Sequence, residues 1–260
     1  MASSDNRLSM ISNHYARLAG GYDALWDHSP AFREWMVNQI VDVAKLTGPV
    51  TVADVGGGTG IFAAELIRQL DGHATIYLID PSAEMLSQSP VDARLHRVCT
   101  SAENARDALA RLGVEALDFL LVKEAVHHFS ERRATLRDLS GLVKTGGSLL
   151  VVMLPTHIEY PLFDAALNRF TKMQPDPADI ESYLATAGMR VTRELRGFHA
   201  ELPKDLWVRM VANRFMSLLS DFNDDELARG VREIEKNLAD VETVRFSDNF
   251  EFVLGRASVT

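Results

Sequence analysis

The sequence predicts an α/β fold, a doubly wound and mostly parallel sheet of seven strands with helices on both faces. Two features carry this prediction. Hydrophobic runs alternate with helical periods from residue 50 to residue 153, which is the pattern of parallel strands joined by crossover helices. A glycine cluster, "TVADVGGGTGI", separates the first hydrophobic run from the first helical segment. A glycine-rich turn at that point is typical of a cofactor-binding loop.

The strands and helices of this block follow from local signals. Apolar runs predict four strands, at residues 50–55, 75–79, 118–122 and 148–153, and "RLHRV" at 94–98 is a weaker third strand between them. Apolar residues at helical spacing predict three helices, at residues 61–70, 104–112 and 131–143. Pro81 permits a further helix to begin after the second strand. Gly146 and Gly147 predict a turn before the fifth strand.

Helical segments flank this block. The pattern divides the chain into a helical unit at 1–48, an α/β core at 49–198, a helical insertion at 199–245 and a last strand of the core at 246–260. The sixth and seventh strands are predicted at 190–195 and 250–255. Helices are expected near 204–220 and 225–238, the second with a capping box at Asn223–Glu226.

The composition narrows the classes of function. Lysine and arginine total 27 against 36 acidic residues, a formal charge of -9, which argues against a protein held mainly by phosphate backbones but leaves room for a local basic groove. The single cysteine, Cys99, excludes an internal disulfide and a multi-cysteine metal site, and no histidine–carboxylate set has ligand spacing. The first residues lack a signal core, and no apolar run approaches the ~20 residues of a membrane span. We therefore expect a cytoplasmic protein that acts on a small molecule, without metal, nucleic acid or membrane.

The spacing of the glycines indicates the kind of cofactor. A dinucleotide fingerprint, G-x-G-x-x-G, would need a third glycine at the position of Ile61. The chain has Gly56, Gly58 and Gly60 instead, with Asp54 two residues before them, which is a D-x-G-x-G-x-G spacing. Such a loop at a helix N-terminus turns backbone N–H groups toward a ligand, and a carboxylate tail suits it as well as a pyrophosphate.

A second signal follows in "YLIDPS", at residues 77–82. Asp80 ends the second predicted strand, where an acidic side chain can accept hydrogen bonds from both hydroxyls of a ribose. The alternative is that Asp80 is only the first residue of an Asp-Pro turn. A glycine loop after strand one and an acid at the end of strand two together favour a nucleoside cofactor.

On these residues the chain resembles the class I methyltransferases that use S-adenosylmethionine. The resemblance covers about residues 15–188 and rests on segments in the family's order: "HYARLAGGYDALWD", "VADVGGGTG", "YLIDPS", "SAENA", "DFLLVKEAVHHF", "LVKTGGSLLVV" and "YLATAGMRVTRE". It implies the Rossmann-like fold of that family, with residues 1–48 as a lid over the cofactor. The motifs describe the cofactor half and do not specify the substrate.

The resemblance also implies a set of cofactor-binding residues: Tyr22, Asp54, Gly56, Gly58, Gly60, Asp80, Pro81, Ser101, Ala102, Glu103, Lys123 and Glu124. The glycines would line the methionine part of S-adenosylmethionine, with Asp54 near its ammonium, while Asp80 would hold the ribose. Lys123 and Glu124 would border the methyl end. Ser101 departs from the family, which commonly has an aspartate for the adenine amino group there. We expect adenine recognition to be weaker at this position or to shift to Glu103.

Methyl transfer from a sulfonium chiefly needs alignment of the acceptor, and an acceptor hydroxyl or protonated amine also needs a base. His127 and His128 follow the fourth strand at the carboxyl edge of the sheet and are the candidates for that base. Relatives also use this pair as a cap over the cofactor or as packing at a helix start. His157 and Tyr160, just past the fifth strand, are weaker candidates for lining the acceptor pocket.

The predicted function is methyl transfer from S-adenosylmethionine to oxygen or nitrogen of a small molecule. A protein that binds this cofactor for another activity and a methyltransferase acting on RNA are the alternatives, and a nicotinamide oxidoreductase is disfavoured by Ile61. The apolar spacing in residues 204–220 suits core packing, a homodimer face or a pocket wall.

Overall fold

The computed structural model describes residues 29–70 and 73–258. Their strands are β1 (Val50–Val55), β2 (Ala74–Asp80), β3 (Leu95–Cys99), β4 (Leu117–Lys123), β5 (Val143–Met153), β6 (Met189–Pro203) and β7 (Thr243–Ala257). These seven strands of the described residues form one sheet in the order β3-β2-β1-β4-β5-β7-β6. Neighbours from β3 to β5 are parallel, whereas β7 is antiparallel to both β5 and β6. The predicted fold class is confirmed.

Helices cover both faces of the sheet. They are α1 (Pro30–Ala44), α2 (Ile61–Gln69), α3 (Ala83–Gln88), α4 (Ala105–Arg111), α5 (Arg132–Ser140), α6 (Asp164–Met173), α7 (Pro177–Thr186), α8 (Lys204–Ala212) and α9 (Asp224–Asn237). The larger core cluster joins one face of the sheet to α1, α2, α6, α8 and α9, and the smaller one joins the other face to α4, α5 and α7. No helix in the described ranges is long and apolar enough to cross a bilayer.

Local sequence signals fix where several of these helices begin. The Ser29 side chain accepts a hydrogen bond from the N–H of Phe32, and proline occupies the first turn of α1. Asp176 caps α7 in the same way, ahead of its own proline. The predicted capping box of α9 is present, with Asn223 and Glu226 each accepting from the other's backbone N–H at 2.9 Å.

The glycine turn predicted before the fifth strand is wrong. β5 runs without interruption from Val143 to Met153 and passes through Gly146, whose φ is 78°. The pairing register with β4 shifts between Leu117 and Phe119, beside these glycines. Glycine tolerates positive φ, so the strand absorbs an irregularity where a turn was expected.

The last two strands are much longer than predicted. β6 and β7 have 15 residues each and pair along their whole length, from Met189 opposite Ala257 to Pro203 opposite Thr243. β5 ends opposite Glu251, so the first half of β7 extends with β6 past the carboxyl edge of the parallel strands. This β6–β7 ribbon brings residues near the C-terminus to the edge where parallel sheets bind ligands.

Candidate functional site

The strand order places a candidate binding site at the carboxyl edge of β1 and β4. The winding of the sheet reverses at this pair, since β2 and β3 lie beyond β1 while β5, β7 and β6 lie beyond β4. Such sheets bind ligands outside the carboxyl ends of the strands at this switch point. The glycine loop leaves β1 here and residues 124–129 leave β4. The two loops are in contact, because a Cβ added at Gly56 would collide with the Cβ of Ala125.

Backbone conformation and close approach both require glycine in the loop after β1. Gly56, Gly58 and Gly60 have φ angles of 78°, 58° and 74°, which residues with side chains rarely adopt. Gly57 is required for space, since a Cβ there would lie 2.6 Å from Oδ2 of Asp54. A larger residue in this loop would therefore strain the backbone or displace a buried carboxyl group.

The loop uses its backbone donors differently from the prediction. The N–H groups of Gly56 and Gly57 donate to the carbonyl of Ile79, at 2.7 and 3.2 Å. The N–H of Gly60 donates to the carbonyl of Gly57 at 2.9 Å. These donors are satisfied by the end of β2 and by the loop itself, so they are not directed at a ligand. What the glycines provide is room beside the backbone.

Asp80 ties the end of β2 to the glycine loop. Its Oδ2 accepts from the N–H of Gly58 and its Oδ1 from the N–H of Ser82, both at 2.9 Å. Burial raises the pKa of Asp80, and these two hydrogen bonds lower it by less. Each carboxylate oxygen accepts more than one hydrogen bond, so Asp80 retains acceptor capacity for two ribose hydroxyls. Pro81 follows, and the Ser82 side chain caps α3.

The predicted adenine site is a 3₁₀ turn, Ala102–Asn104, after β3. Ser101 and Ala102 are partly exposed, and Glu103 is exposed. Oε1 of Glu103 accepts from the N–H and Oγ of Ser130, at 3.2 and 3.1 Å, which links this turn to the loop after β4. Burial raises the pKa of Glu103, but hydrogen bonds that include those from Ser101 and Ser130 outweigh it and lower the pKa. Glu103 is therefore an ionised group that is already bonded within the protein.

Lys123 and Glu124 stand where the chain leaves β4, and both are partly exposed. Nζ of Lys123 lies 4.1 Å from the ring centroid of Phe62, in the first turn of α2. Glu124 has a φ of 51°, in the left-handed region that residues with side chains rarely enter. The end of β5 and the residue after it hold Glu124 there. The N–H of Glu124 donates to the carbonyl of Val152 at 2.8 Å, and its Oε1 accepts from the N–H of Leu154 at 2.9 Å. A strained backbone that is held from outside is common at functional sites.

Ionisable side chains form a row across this edge, on the sheet face that α1 and α2 cover. Side chains two residues apart on a strand point to the same face of the sheet. Each member of the row lies two residues from a buried core residue, which identifies the face to which it belongs. The row contains Asp80, Asp54, Lys123 and Asp248, next to Leu78, Val52, Leu121 and Phe250 of the larger core cluster. It therefore runs from β2 through β1 and β4 to β7.

Four groups here, Asp54, Lys123, Glu124 and Asp248, interact electrostatically, and we call them the edge cluster. Burial raises the pKa values of the three carboxyl groups to about 7, and the positive charge of Lys123 opposes this. Burial lowers the pKa of Lys123, against the effect of the three carboxyl groups. Near neutral pH the three carboxyl groups of the edge cluster therefore titrate as a coupled set, and their charges act on the protonation of Lys123.

Asp248 is the member of the site that the sequence prediction missed. The hydroxyl of Tyr160 donates to its Oδ1 at 2.5 Å, and both side chains are buried. The ring of Tyr160 packs against Trp207 and Phe246, with centroids 6.0 and 5.0 Å apart. One signal was available: Asp248 falls on the apolar side of an alternating strand, between Phe246 and Phe250. Burying a carboxyl group among apolar side chains costs free energy, so an acid at such a position indicates a use for that group.

His127 and His128 lie in the 3₁₀ turn Val126–His128, with ring centroids 4.0 Å apart. Arg132 donates to the carbonyls of Val126 and His127, at 3.2 Å each, and so fastens the turn to the start of α5. The structure thus places the pair after Lys123 and Glu124 on the same loop. Tyr22, predicted to cover the cofactor, lies outside the described residues.

A family model described as a methyltransferase domain matches residues 53–151 of the chain. The ubiquinone/menaquinone biosynthesis C-methyltransferase UbiE of Salmonella paratyphi B is 25% identical over 191 residues, which are 70% of this chain and 76% of the relative. The residues matched by the family model contain the glycine loop and the loop after β4.

Solved structures share the fold at low sequence identity. A protein described as a methyltransferase from an antibiotic biosynthesis pathway of Anabaena variabilis gives a TM-score of 0.64 at 18% identity, over 85% of this chain and 96% of that chain. Phosphoethanolamine N-methyltransferase 2 of Haemonchus contortus, solved with S-adenosyl-L-methionine, gives 0.59 at 14% identity, over 94% of this chain and 57% of that chain. At these identities the likeness concerns the fold alone.

Proposed function

We propose that this chain is a class I methyltransferase that depends on S-adenosylmethionine, and that it methylates oxygen or nitrogen of a small molecule at the carboxyl edge of β1 and β4; the matching methyltransferase domain model and the relative UbiE support this. The observation that carries the proposal is the contact between the glycine loop and the loop after β4, with Asp80 bonded to the same glycine loop. The cofactor supplies a methyl group that is already activated on a sulfonium.

Taken along the edge of the sheet from β3 to β4, the residues suit successive parts of S-adenosylmethionine, from the adenine to the methyl group. Asp80 has acceptor capacity for the ribose, and the side-chain-free surface of Gly56, Gly58 and Gly60 suits the methionine portion. Asp54 places a carboxyl group near the expected position of the ammonium. Ser101, Ala102 and Glu103 lie at the β3 end, where the adenine would be. The methyl group then falls toward β4, beside Lys123 and Glu124.

The acceptor would bind on the far side of Lys123, toward β5 and the β6–β7 ribbon. Asp248 and Tyr160 lie on that side, so the acceptor space has a polar end within an otherwise apolar core face. A net charge of -9 and a relative named for quinone biosynthesis both favour a small molecule over RNA. The cytoplasmic location and the homodimer stay predictions.

Methylation at carbon is a second candidate, because the relative UbiE is named as a C-methyltransferase. The two candidates differ in the product, since methyl groups on carbon, nitrogen and oxygen give distinct carbon resonances. An imidazole of His127 or His128 stays a candidate base for an O–H or N–H acceptor.

The proposal is tested by incubating the protein with S-adenosylmethionine and pooled small-molecule acceptors. We expect formation of S-adenosylhomocysteine together with a methylated product, identified by mass spectrometry. Asp80→Ala should weaken cofactor binding by at least about tenfold, because a hydrogen bond to a charged group contributes about 1.5–3 kcal/mol. Unchanged affinity for S-adenosylhomocysteine in Asp80→Ala would contradict the placement of the cofactor.

A further inference from the structure

Lys123 puts an ammonium group beside the space proposed for a cationic cofactor. Gly56 contacts Ala125, two residues after Lys123, and Phe62 of α2 lies under Nζ of Lys123. The glycine loop, the start of α2 and the lysine thus border one region. The proposed function places the sulfonium end of S-adenosylmethionine in that region. Two cations at short range in a partly desolvated site repel strongly.

The charges of carboxyl groups on three elements act on this lysine. They belong to Glu124 in the loop after β4, Asp54 in β1 and Asp248 in β7. Asp80 acts on Asp54 from β2, and Tyr160 donates a hydrogen bond to Asp248. Burial favours the neutral amine and the carboxylates favour the ammonium, so the protonation of Lys123 depends on any charge added nearby.

We infer that Lys123 is the proton acceptor of methyl transfer: it releases its proton when S-adenosylmethionine binds and takes up the proton of the acceptor during the reaction. This inference rests on the proposed function and assigns the base of the same site. Lys123 is partly exposed and stands at the end of β4, between the cofactor side and the acceptor side of the row. Its position at the expected methyl end is more direct than that of the histidine pair farther along the loop.

The reaction balances with Lys123 as the base. A lone pair of the acceptor oxygen or nitrogen forms the bond to the methyl carbon, and the S–C bond breaks with its electron pair going to sulfur. The proton of the acceptor passes to Nζ of Lys123. The positive charge of the sulfonium is lost as the ammonium charge appears, so the net charge within the site does not change. Asp248, held by Tyr160, is a positioning residue that keeps the ammonium form stable afterwards.

The first test measures protons released on binding and needs no acceptor. Wild-type protein is titrated calorimetrically with S-adenosylmethionine and with S-adenosylhomocysteine, in two buffers with different heats of ionisation, at a pH of about 8. The carboxyl groups of the edge cluster, with pKa values of about 7, are mostly ionised there. We expect more protons to be released with S-adenosylmethionine than with S-adenosylhomocysteine, which lacks the sulfonium charge.

Variants identify the source of the proton. In Lys123→Met the two ligands should release equal numbers of protons. S-adenosylhomocysteine should still bind, which also shows that the variant is folded. Lys144→Met is the matched control, because Lys144 pairs with Asp118 at the opposite end of the same strands. Its proton release should equal that of the wild type.

Lys123→Arg provides an independent test, since a guanidinium keeps its proton in proteins. We expect its affinity for S-adenosylmethionine to fall on the order of tenfold relative to its affinity for S-adenosylhomocysteine. Equal proton release with the two ligands in wild type, or an unchanged difference in Lys123→Met, would overturn the inference while leaving the proposed function intact. Failure of wild-type protein to bind S-adenosylhomocysteine would overturn the proposed function, and the inference with it.

Discussion

The two ends of β4 hold charged groups of opposite character. At the amino end, Asp118 pairs with Lys144 and accepts from the N–H of Thr51 at 2.9 Å. Burial raises the pKa of Asp118, but these partners outweigh it and lower the pKa. At the carboxyl end, burial prevails: it lowers the pKa of Lys123 and raises that of Glu124 to about 7. At the amino end the partners stabilise the charged form of Asp118, whereas at the carboxyl end burial favours the neutral forms of Lys123 and Glu124.

This difference separates structural charge from functional charge on a single strand. The pair of Asp118 and Lys144 joins strands at the surface, where an ion pair contributes at most about 1 kcal/mol. Buried titratable groups without full charge compensation cost stability, and proteins keep them mainly at sites that use them. The carboxyl edge, where cofactor and acceptor are proposed to meet, has that costly arrangement.

The largest expected effect comes from blocking the space beside the glycine loop. Gly58→Arg should weaken binding of S-adenosylhomocysteine by at least about 100-fold, because its side chain fills the proposed methionine site. Gly113→Arg is the control, since Gly113 also has a positive φ, of 76° against 58°, but lies after α4 with open space around it. Calorimetry should show near wild-type affinity for the control. Equal affinities in both variants would remove the glycine loop from the site.

The contributions to stability of Asp248, in the edge cluster, and of Asp118, at the amino end of β4, should change with pH in opposite directions. A carboxyl pKa raised to about 7 means that the folded state of Asp248 binds protons more tightly, so stability falls as pH rises from about 4 to 7. Asp248→Asn removes this loss, so its free energy of unfolding should exceed that of the wild type by roughly 1–3 kcal/mol between pH 5 and pH 8. Asp118 has a lowered pKa, so Asp118→Asn should lose stability at pH 7, and the loss should vanish below about pH 4.

Denaturant unfolding at several pH values measures both variants. Similar pH dependence of Asp248→Asn and wild type would show that the buried carboxyl group of β7 does not titrate as described. A destabilised Asp118→Asn at low pH would likewise contradict the assignment of the amino end as an ordinary ion pair.

A smaller effect is expected from removing the donor to Asp248. Tyr160→Phe leaves the buried carboxylate without this hydrogen bond and should cost about 1–3 kcal/mol of unfolding free energy. The cost should be larger at pH 8, where Asp248 is ionised, than at pH 5. Tyr183→Phe on α7, on the other face of the sheet, is the matched control and should show no such pH dependence.

The smallest effect concerns the histidine pair. If Lys123 is the base, replacing His127 and His128 together by alanine should lower kcat by less than about tenfold once an acceptor is known, with unchanged affinity for S-adenosylhomocysteine. Lys123→Met should lower kcat more and remove the corresponding limb of the pH–rate profile. A larger loss in the double alanine variant would return the base to the histidines.

The parallel half of the fold was predictable because its signals are local. β1, β2, β4 and the second half of β5 are compact apolar runs, and the glycine loop and Asp80 mark the ends of the first two strands. The prediction failed at β5, where it placed a turn at glycines that the strand passes through. The prediction also made β7 too short, because Asp248 interrupts the apolar alternation that continues back to Val244.

The acceptor end could not be predicted for a different reason. Tyr160 and Asp248 are 88 residues apart, and only the insertion of β7 between β5 and β6 brings them together. No local pattern encodes that neighbourhood. The sequence therefore offered candidates for the cofactor side, where residues follow their strands directly, and offered Tyr160 but not Asp248 on the side that depends on strand order.

The ligand of the carboxyl edge is tested by calorimetric titration of the wild-type protein with S-adenosylhomocysteine, with NADH as a parallel ligand. We expect a dissociation constant in the micromolar range, about -8 kcal/mol, for S-adenosylhomocysteine and no binding of NADH. Binding of NADH without binding of S-adenosylhomocysteine would contradict the assignment of the carboxyl edge of β1 and β4 as a methyltransferase site.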